Sequence, residues 1–335
     1  MRYTWREIFE QPEVIKRIAD FDAKKLNEAS EIVKNARECY IIGAGSSLNA
    51  GMFGGYLLSE NNRRENRIIP ASEFAFRATM ISGGDAVIVL SQSGESGDIL
   101  EAIQFAKSKM AEVITITNNE KSEAALESDV CLALFSGQER GILATKTVTA
   151  EIAMFIMLSS AMNNDLEGGR KTLIKIAGEL KKMLDKKSLE AIKKIAKSYE
   201  NDHDFYIIGN NFFYPMALEA ALKLKEGGRV HAEGFDGSEF RHGPITLIEK
   251  NTPVIYFSTQ DNQESDLPEI KRSGGLITGV SYNKNKLFDN FYQIADAGLY
   301  SAVLAVVFAQ LLAYFIAESK GLNPDEPKNL DKVVV

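Results

Sequence analysis

Residues 85–110 read DAVIVLSQSGESGDILEAIQFAKSKM, and the change of pattern inside this stretch decides the architecture. The run AVIVL has no polar alternation, as in a strand covered on both faces of a parallel sheet. From Ile99 the apolar positions repeat at helical spacing. Between them, residues 91–98 offer Ser91, Gln92, Ser93, Gly94, Ser96 and Gly97, with almost nothing to pack. A buried strand that passes through such a loop into a helix is one βα unit, and in open parallel sheets ligands bind beyond the carboxyl ends of the strands.

The same alternation runs along the chain. CYIIGAG leads into SLNAGMFGGYLLSE, RIIPASEF into AFRATM, and VITITNN into SEAALES, after which VCLALFSGQERG precedes the apolar helix TAEIAMFIMLSSAM. The plan restarts at residue 204 with DFYIIGNN, the helix PMALEAALKLKE, then TPVIYFST, GLITGVSY and YQIADAG. YIIGAGSS at 40 and YIIGNNFF at 206 echo each other, so the expected fold class is α/β, two tandem domains that are each a doubly wound parallel sheet with helices on both faces. The expected division is an amino-terminal helical segment at 1–27, a first domain at 28–165, connecting helices at 166–200 and a second domain at 201–335.

A chain of 335 residues, 45% hydrophobic and 25% charged, is long enough for two such cores. A net charge of −7 and the lack of a basic block interleaved with aromatics exclude nucleic acid as an expected partner. Cys39 and Cys131 lie in strand-like apolar contexts, which reads as buried thiols in a reducing cytoplasm. The opening MRYTWREIFEQPEVIKRI carries charges every few residues and is not expected to be a signal peptide. Residues 298–319 have the length of a membrane span, but Ser301, Gln310 and two tyrosines favour a buried helix; no membrane association is expected.

Two polar clusters remain. GAGSSLNAG (43–51) and SQSGESGD (91–98) fall on one rim, where glycines let a ligand approach the backbone and helix amino termini offer free N–H groups. With the hydroxyls of Ser46, Ser47, Ser91, Ser93 and Ser96 and the amide of Gln92, they suit a small phosphate; for either loop alone, simple N-capping is an equal reading. A dinucleotide fingerprint fails at its third glycine, where Leu48 stands. The second cluster is ALEAALKLKEGGRVHAEGFDGSEFRHGP (217–244): Glu219, Lys223 and Glu226 form one helical stripe that Gly227 and Gly228 are expected to end, with His231 and His242 following. A surface helix laced by salt links is the plain alternative. No cysteine joins the histidines and no HExxH spacing occurs, so no metal site is expected.

Six motifs in order, GSSLNAG, LSQSGESGD, ERGILATKTVTAEI, ALEAALKLKE, HAEGFDGSEFRHGP and the tail PDEPKNLDKVVV, resemble the double SIS (sugar isomerase) domain family, in particular the isomerase half of glucosamine-6-phosphate synthase, from about residue 5 to the end. The resemblance implies that Ser47, Ser91, Gln92, Ser93 and Ser96 hold a sugar phosphate, Ser96 replacing the family's threonine, and that Glu139 and Ile142 line the sugar. It implies Glu226 as the carboxylate that moves a proton between sugar C1 and C2, with Lys223 beside it. His242 is implied as the ring-opening histidine contributed by the adjacent subunit of a homodimer, and Lys332 as the tail lysine that forms an imine with the ketose. No cofactor is implied.

The residue types fit those roles. Histidine exchanges protons near neutral pH, a partly desolvated glutamate can take and return a proton, and a lysine near the chain end can act as a nucleophile. The chain starts where the synthase would carry its glutaminase domain, so it is not expected to draw ammonia from glutamine. The resemblance therefore implies conversion of glucosamine 6-phosphate to fructose 6-phosphate and ammonia, or the reverse with free ammonia, as in archaeal-type glucosamine-6-phosphate deaminases. A fructosamine-6-phosphate deglycase, the isomerase subunit of a synthase and a non-catalytic sugar-phosphate sensor are the alternatives.

Overall fold

The computed structural model describes residues 2–62, 64–258 and 266–332. It divides into two compact units, one of Glu10–Glu139, Lys146–Ala177 and Asp331–Val335, the other of Met1–Phe9, Arg140–Thr145 and Gly178–Leu330. Of the tail motif, residues 333–335 lie outside the described residues, as does the last residue of TPVIYFST.

Helices α1 (Tyr3–Ala19) and α2 (Ala23–Asn35) lead to β1 (Cys39–Gly43), α3 (Ser46–Asn62), β2 (Arg67–Pro70), α4 (Phe74–Arg77) and β3 (Ala86–Ser91). Then come α5 (Gly97–Ser108), β4 (Glu112–Thr117), α6 (Glu123–Glu127), β5 (Val130–Ala133) and the helices α7 (Lys146–Met162), α8 (Leu166–Met183) and α9 (Lys186–Ser198). The first sheet has the order β2-β1-β3-β4-β5, every pair parallel. Each residue of β1 and β3 is buried, which is why those strands carry no polar alternation. Ile42, Val87, Val89 and Ile103 pack in one core with Phe74 and Ala106.

The second half holds β6 (Asp204–Gly209), α10 (Tyr214–Gly228), β7 (His231–Phe235), α11 (Gly237–Arg241), β8 (Pro253–Phe257), α12 (Leu267–Ser273), β9 (Leu276–Ser281), β10 (Asn290–Gln293) and α13 (Ser301–Ser319). Its sheet, again all parallel, runs β10-β9-β8-β6-β7. Read from the other edge, that order repeats the first sheet. In each, the first strand lies between the second and the third, so the chain turns to one side and then to the other, and this switch point opens a crevice at the carboxyl ends.

Two local expectations need correction. HAEGF, read as part of a polar site cluster, is the strand β7; as the outer strand of its sheet it tolerates polar residues that an inner strand would not. YQIADAG contributes only its first two residues to β10. Gly227 and Gly228 are the last two residues of α10, as expected, while the left-handed cap is Arg229, with φ of +49°. The glycines also serve packing, since a Cβ on Gly228 would meet Ile316 Cγ2 of α13 at 3.0 Å. α13 is long and apolar enough to cross a membrane, yet 89% of its apolar window is buried, and within its unit it packs on α9 and α10.

Candidate functional site

The first switch point lies between β1 and β3, paired in register from Cys39–Ala86 to Ile42–Val89, so the loops that leave these strands are neighbours. The 91–96 loop is built by its own serines. Ser91 Oγ accepts the Gly94 N–H at 3.0 Å, and Ser93 Oγ accepts the Glu95 N–H at 3.2 Å. Gly94 has φ of +70°, and a Cβ there would stand 2.1 Å from Ser122 Oγ, so the loop closes only with glycine. Ser96 occupies the N-cap of α5 but its side chain makes no capping bond, which weakens the plain capping reading for that residue. Gln92 and Ser93 are half-buried and Ser91 is buried.

Ser46 and Ser47 open α3 and are half-buried. Ser47 Oγ donates to Glu151 Oε1 at 2.7 Å, a carboxylate of α7 that is fully buried. In the same unit, Glu139 Oε1 accepts the Thr147 N–H at 3.3 Å in the first turn of α7, where the helix dipole favours a negative charge. The other oxygen, Oε2, lies 2.9 Å from Lys332 Nζ, so two residues 193 positions apart form an ion pair. Lys332 must leave Glu139 before it can attack a carbonyl.

In the second unit, α10 carries a charged row through an apolar helix. Lys223 is fully buried, with Nζ 2.5 Å from Glu226 Oε2 and 3.5 Å from Glu219 Oε1. Glu219 is fully buried, whereas the Glu226 side chain keeps 15% of its exposure, so of the two carboxylates Glu226 is the one with access to a ligand. The plain surface-helix alternative therefore fails: a lysine and a glutamate at zero exposure are not a solvated face. His242 follows α11 and is exposed, with its N–H on the Glu239 carbonyl. His231 begins β7, at the opposite end of the strand from the rim, and sits 3.1 Å from Asp204 and 3.3 Å from Glu233.

Ile142 belongs to a loop held at both ends. Its N–H reaches the Asp325 carbonyl at 3.3 Å, while Glu7 of α1 accepts the N–H groups of Arg140 and Gly141. The Asp325 carboxylate in turn accepts the Tyr3 and Thr4 N–H groups, each at 2.7 Å, capping α1 from a position more than 320 residues away. Sequence reasoning missed Glu7, Glu151 and Asp325 as supports. The only signal was an acidic residue inside or beside an apolar run, as in TAEIAM.

Cys39 is buried and its thiol is pushed up to about 12 by that burial, so it is inert as a nucleophile. Cys131 is only half-buried, with its thiol also raised by burial. Among the described residues no cluster of His, Cys, Asp and Glu could hold a metal ion.

A SIS domain model matches residues 32–161 and 199–273. The glutamine–fructose-6-phosphate aminotransferase (isomerizing) of Clostridium perfringens is 33% identical over 356 aligned residues, which cover 98% of this chain and 58% of that protein. The chain thus spans less than two thirds of that relative's length. Among solved structures, the C-terminal domain of glucosamine-fructose-6-phosphate aminotransferase from Francisella tularensis superposes with a TM-score of 0.88 at 26% identity, covering 97% of this chain and 98% of that one. Glucosamine-6-phosphate deaminase from Thermotoga maritima superposes with a TM-score of 0.80 at 25% identity, covering 99% of each chain.

Proposed function

Because the chain belongs to the SIS domain family and carries that domain twice, we propose that it is a glucosamine-6-phosphate deaminase, releasing ammonia and fructose 6-phosphate from glucosamine 6-phosphate and water. The observation that carries the reading is Glu226: a carboxylate with 15% exposure, 2.5 Å from a fully buried lysine, at the end of a helix. Such a group can remove the proton at sugar C2 and return it at C1, while Lys223 holds its charge in place.

In this reading the phosphate sits among Ser47, Ser91, Gln92, Ser93 and Ser96, and Glu139 and Ile142 face the sugar. His242, exposed at the end of a short helix, opens the ring, and in this reading the adjacent subunit of a homodimer contributes it. Proton transfer turns the amino aldose into an imine at C2, and water cleaves that imine to the ketose and ammonia. Lys332, released from Glu139, can hold the ketose as its own imine. The likeness to the aminotransferase supports the same chemistry run in reverse with free ammonia as a second reading.

The test is release of ammonia and fructose 6-phosphate from glucosamine 6-phosphate by the purified protein. Glu226→Gln is expected to lower kcat at least a hundredfold, the usual range for a lost acid–base group, and Lys332→Ala is expected to lower it as well. A wild type that releases no ammonia overturns the deaminase reading.

A further inference from the structure

β4 ends at Thr117, and the residue that follows touches two loops of the same rim. Through its backbone, Asn118 serves the serine loop: its N–H donates to the Gln92 carbonyl at 3.3 Å, and the Thr117 hydroxyl donates to the same oxygen at 3.4 Å. Through its side chain it serves the loop that leaves β5. Oδ1 accepts the Ser136 N–H at 2.9 Å and the Ser136 hydroxyl at 2.8 Å, while Nδ2 donates to the Gly137 carbonyl at 2.7 Å. A backbone N–H at one end of the amide and a carbonyl at the other leave it a single orientation, and no other residue type of that size can make all three bonds.

The loop needs such a clamp. Phe135 and Gly137 have φ of +47° and +70°, and a left-handed backbone at a phenylalanine persists only where its surroundings hold it. Next along the chain, the Gln138 carbonyl accepts Lys146 Nζ at 2.8 Å. Glu139 then divides its side chain between the Thr147 N–H at 3.3 Å and Lys332 at 2.9 Å. The chain is thus pinned at every residue from Ser136 to Glu139, and Asn118 supplies the first two pins.

Resting on the sugar-phosphate reading above, we propose that Asn118 is a positioning residue that acts through Glu139: its backbone steadies the phosphate loop, and its side chain sets the turn that aims Glu139 at the sugar. Mutation separates the two halves, because every substitution except proline keeps the N–H that meets Gln92 and alters only the side chain. The serine loop has a further hold of its own, since the Gly94 carbonyl accepts the Ala124 N–H at 3.1 Å.

Calorimetric titration with two probes, inorganic phosphate and fructose 6-phosphate, reads the two ends of the site apart. Asn118→Ala is expected to weaken fructose 6-phosphate about tenfold, the worth of one good hydrogen bond at Glu139, and to leave inorganic phosphate within about twofold. Glu139→Gln is expected to show the same preference for the sugar phosphate, and the double variant Asn118→Ala/Glu139→Gln to lose no more than the weaker-binding single variant, because one residue acts through the other. If the alanine variant fails to fold, the isosteric Asn118→Asp keeps the acceptor for Ser136, removes only the donor to Gly137, and should show the same selective loss. Equal losses for the two probes, or losses that multiply in the double variant, would overturn the assignment. A wild type that binds fructose 6-phosphate without deaminating glucosamine 6-phosphate removes the deaminase reading and leaves this comparison decisive; one that binds neither probe overturns both.

Discussion

At the residue scale, the partner that a polar side chain meets is set by neighbours far away in sequence. Ser47 and Ser91 are the same residue type on the same rim, yet one donates to a carboxylate and the other accepts from a backbone amide. The loops could be read as polar ligand loops from composition alone. The partner of each hydroxyl could not, because Glu151 lies 104 positions from Ser47. Asp266 shows the same dependence on surroundings. It is buried, Tyr256 donates to it at 2.8 Å, and burial pushes its carboxyl above the ordinary carboxylate range. A raised folded pKa means stability that is present below the ordinary value and lost as pH rises through the folded one. Asp266→Asn, which cannot ionise, is expected to gain melting temperature relative to the wild type at pH 7.5 and to lose that advantage at pH 4; an advantage that does not change with pH would show that ionisation of Asp266 carries no such penalty.

At the element scale, helix glycines mark where two helices need to approach. In isolation, alanine for glycine inside a helix is favourable by up to about 1 kcal/mol. At Gly54 of α3 the added methyl would stand inside the Phe155 ring of α7, and overpacking of that kind costs about 1–3 kcal/mol. The packing cost is the larger, so Gly54→Ala is expected to lower the urea midpoint, and an unchanged or higher midpoint would contradict the tight α3–α7 contact. The strands were legible because burial on both faces leaves apolar runs. β7 was not, because an outer strand can carry His231 and Glu233 without burying either. The end of α10 was legible in its GG pair, but the left-handed cap on Arg229 and the packing of Gly228 against α13 were not.

At the scale of the whole molecule, two sheets of the same strand order belong to one chain, and each has its crevice at a switch point. If the serine rim of the first holds a sugar phosphate, the ligand stabilises the folded state by mass action. Fructose 6-phosphate at about a hundred times its Kd should add about 2.7 kcal/mol. For a cooperative unit of this size that is a rise in melting temperature on the order of 5–10 °C. Unphosphorylated fructose at the same concentration should give no such rise, and a rise equal to that of the 6-phosphate would argue against a phosphate site. The sequence by itself determined the fold class, the duplication, the family likeness and the residue types on the rim, because alternation of apolar strands and helices and the glycine–serine loops are local signals. Only the tertiary structure decided which carboxylate of α10 is reachable, that Glu139 holds Lys332, that Asp325 caps α1 and that Ser47 meets Glu151. Those are contacts between residues brought together by packing, and the burial that gives each its energy exists only once the chain has folded.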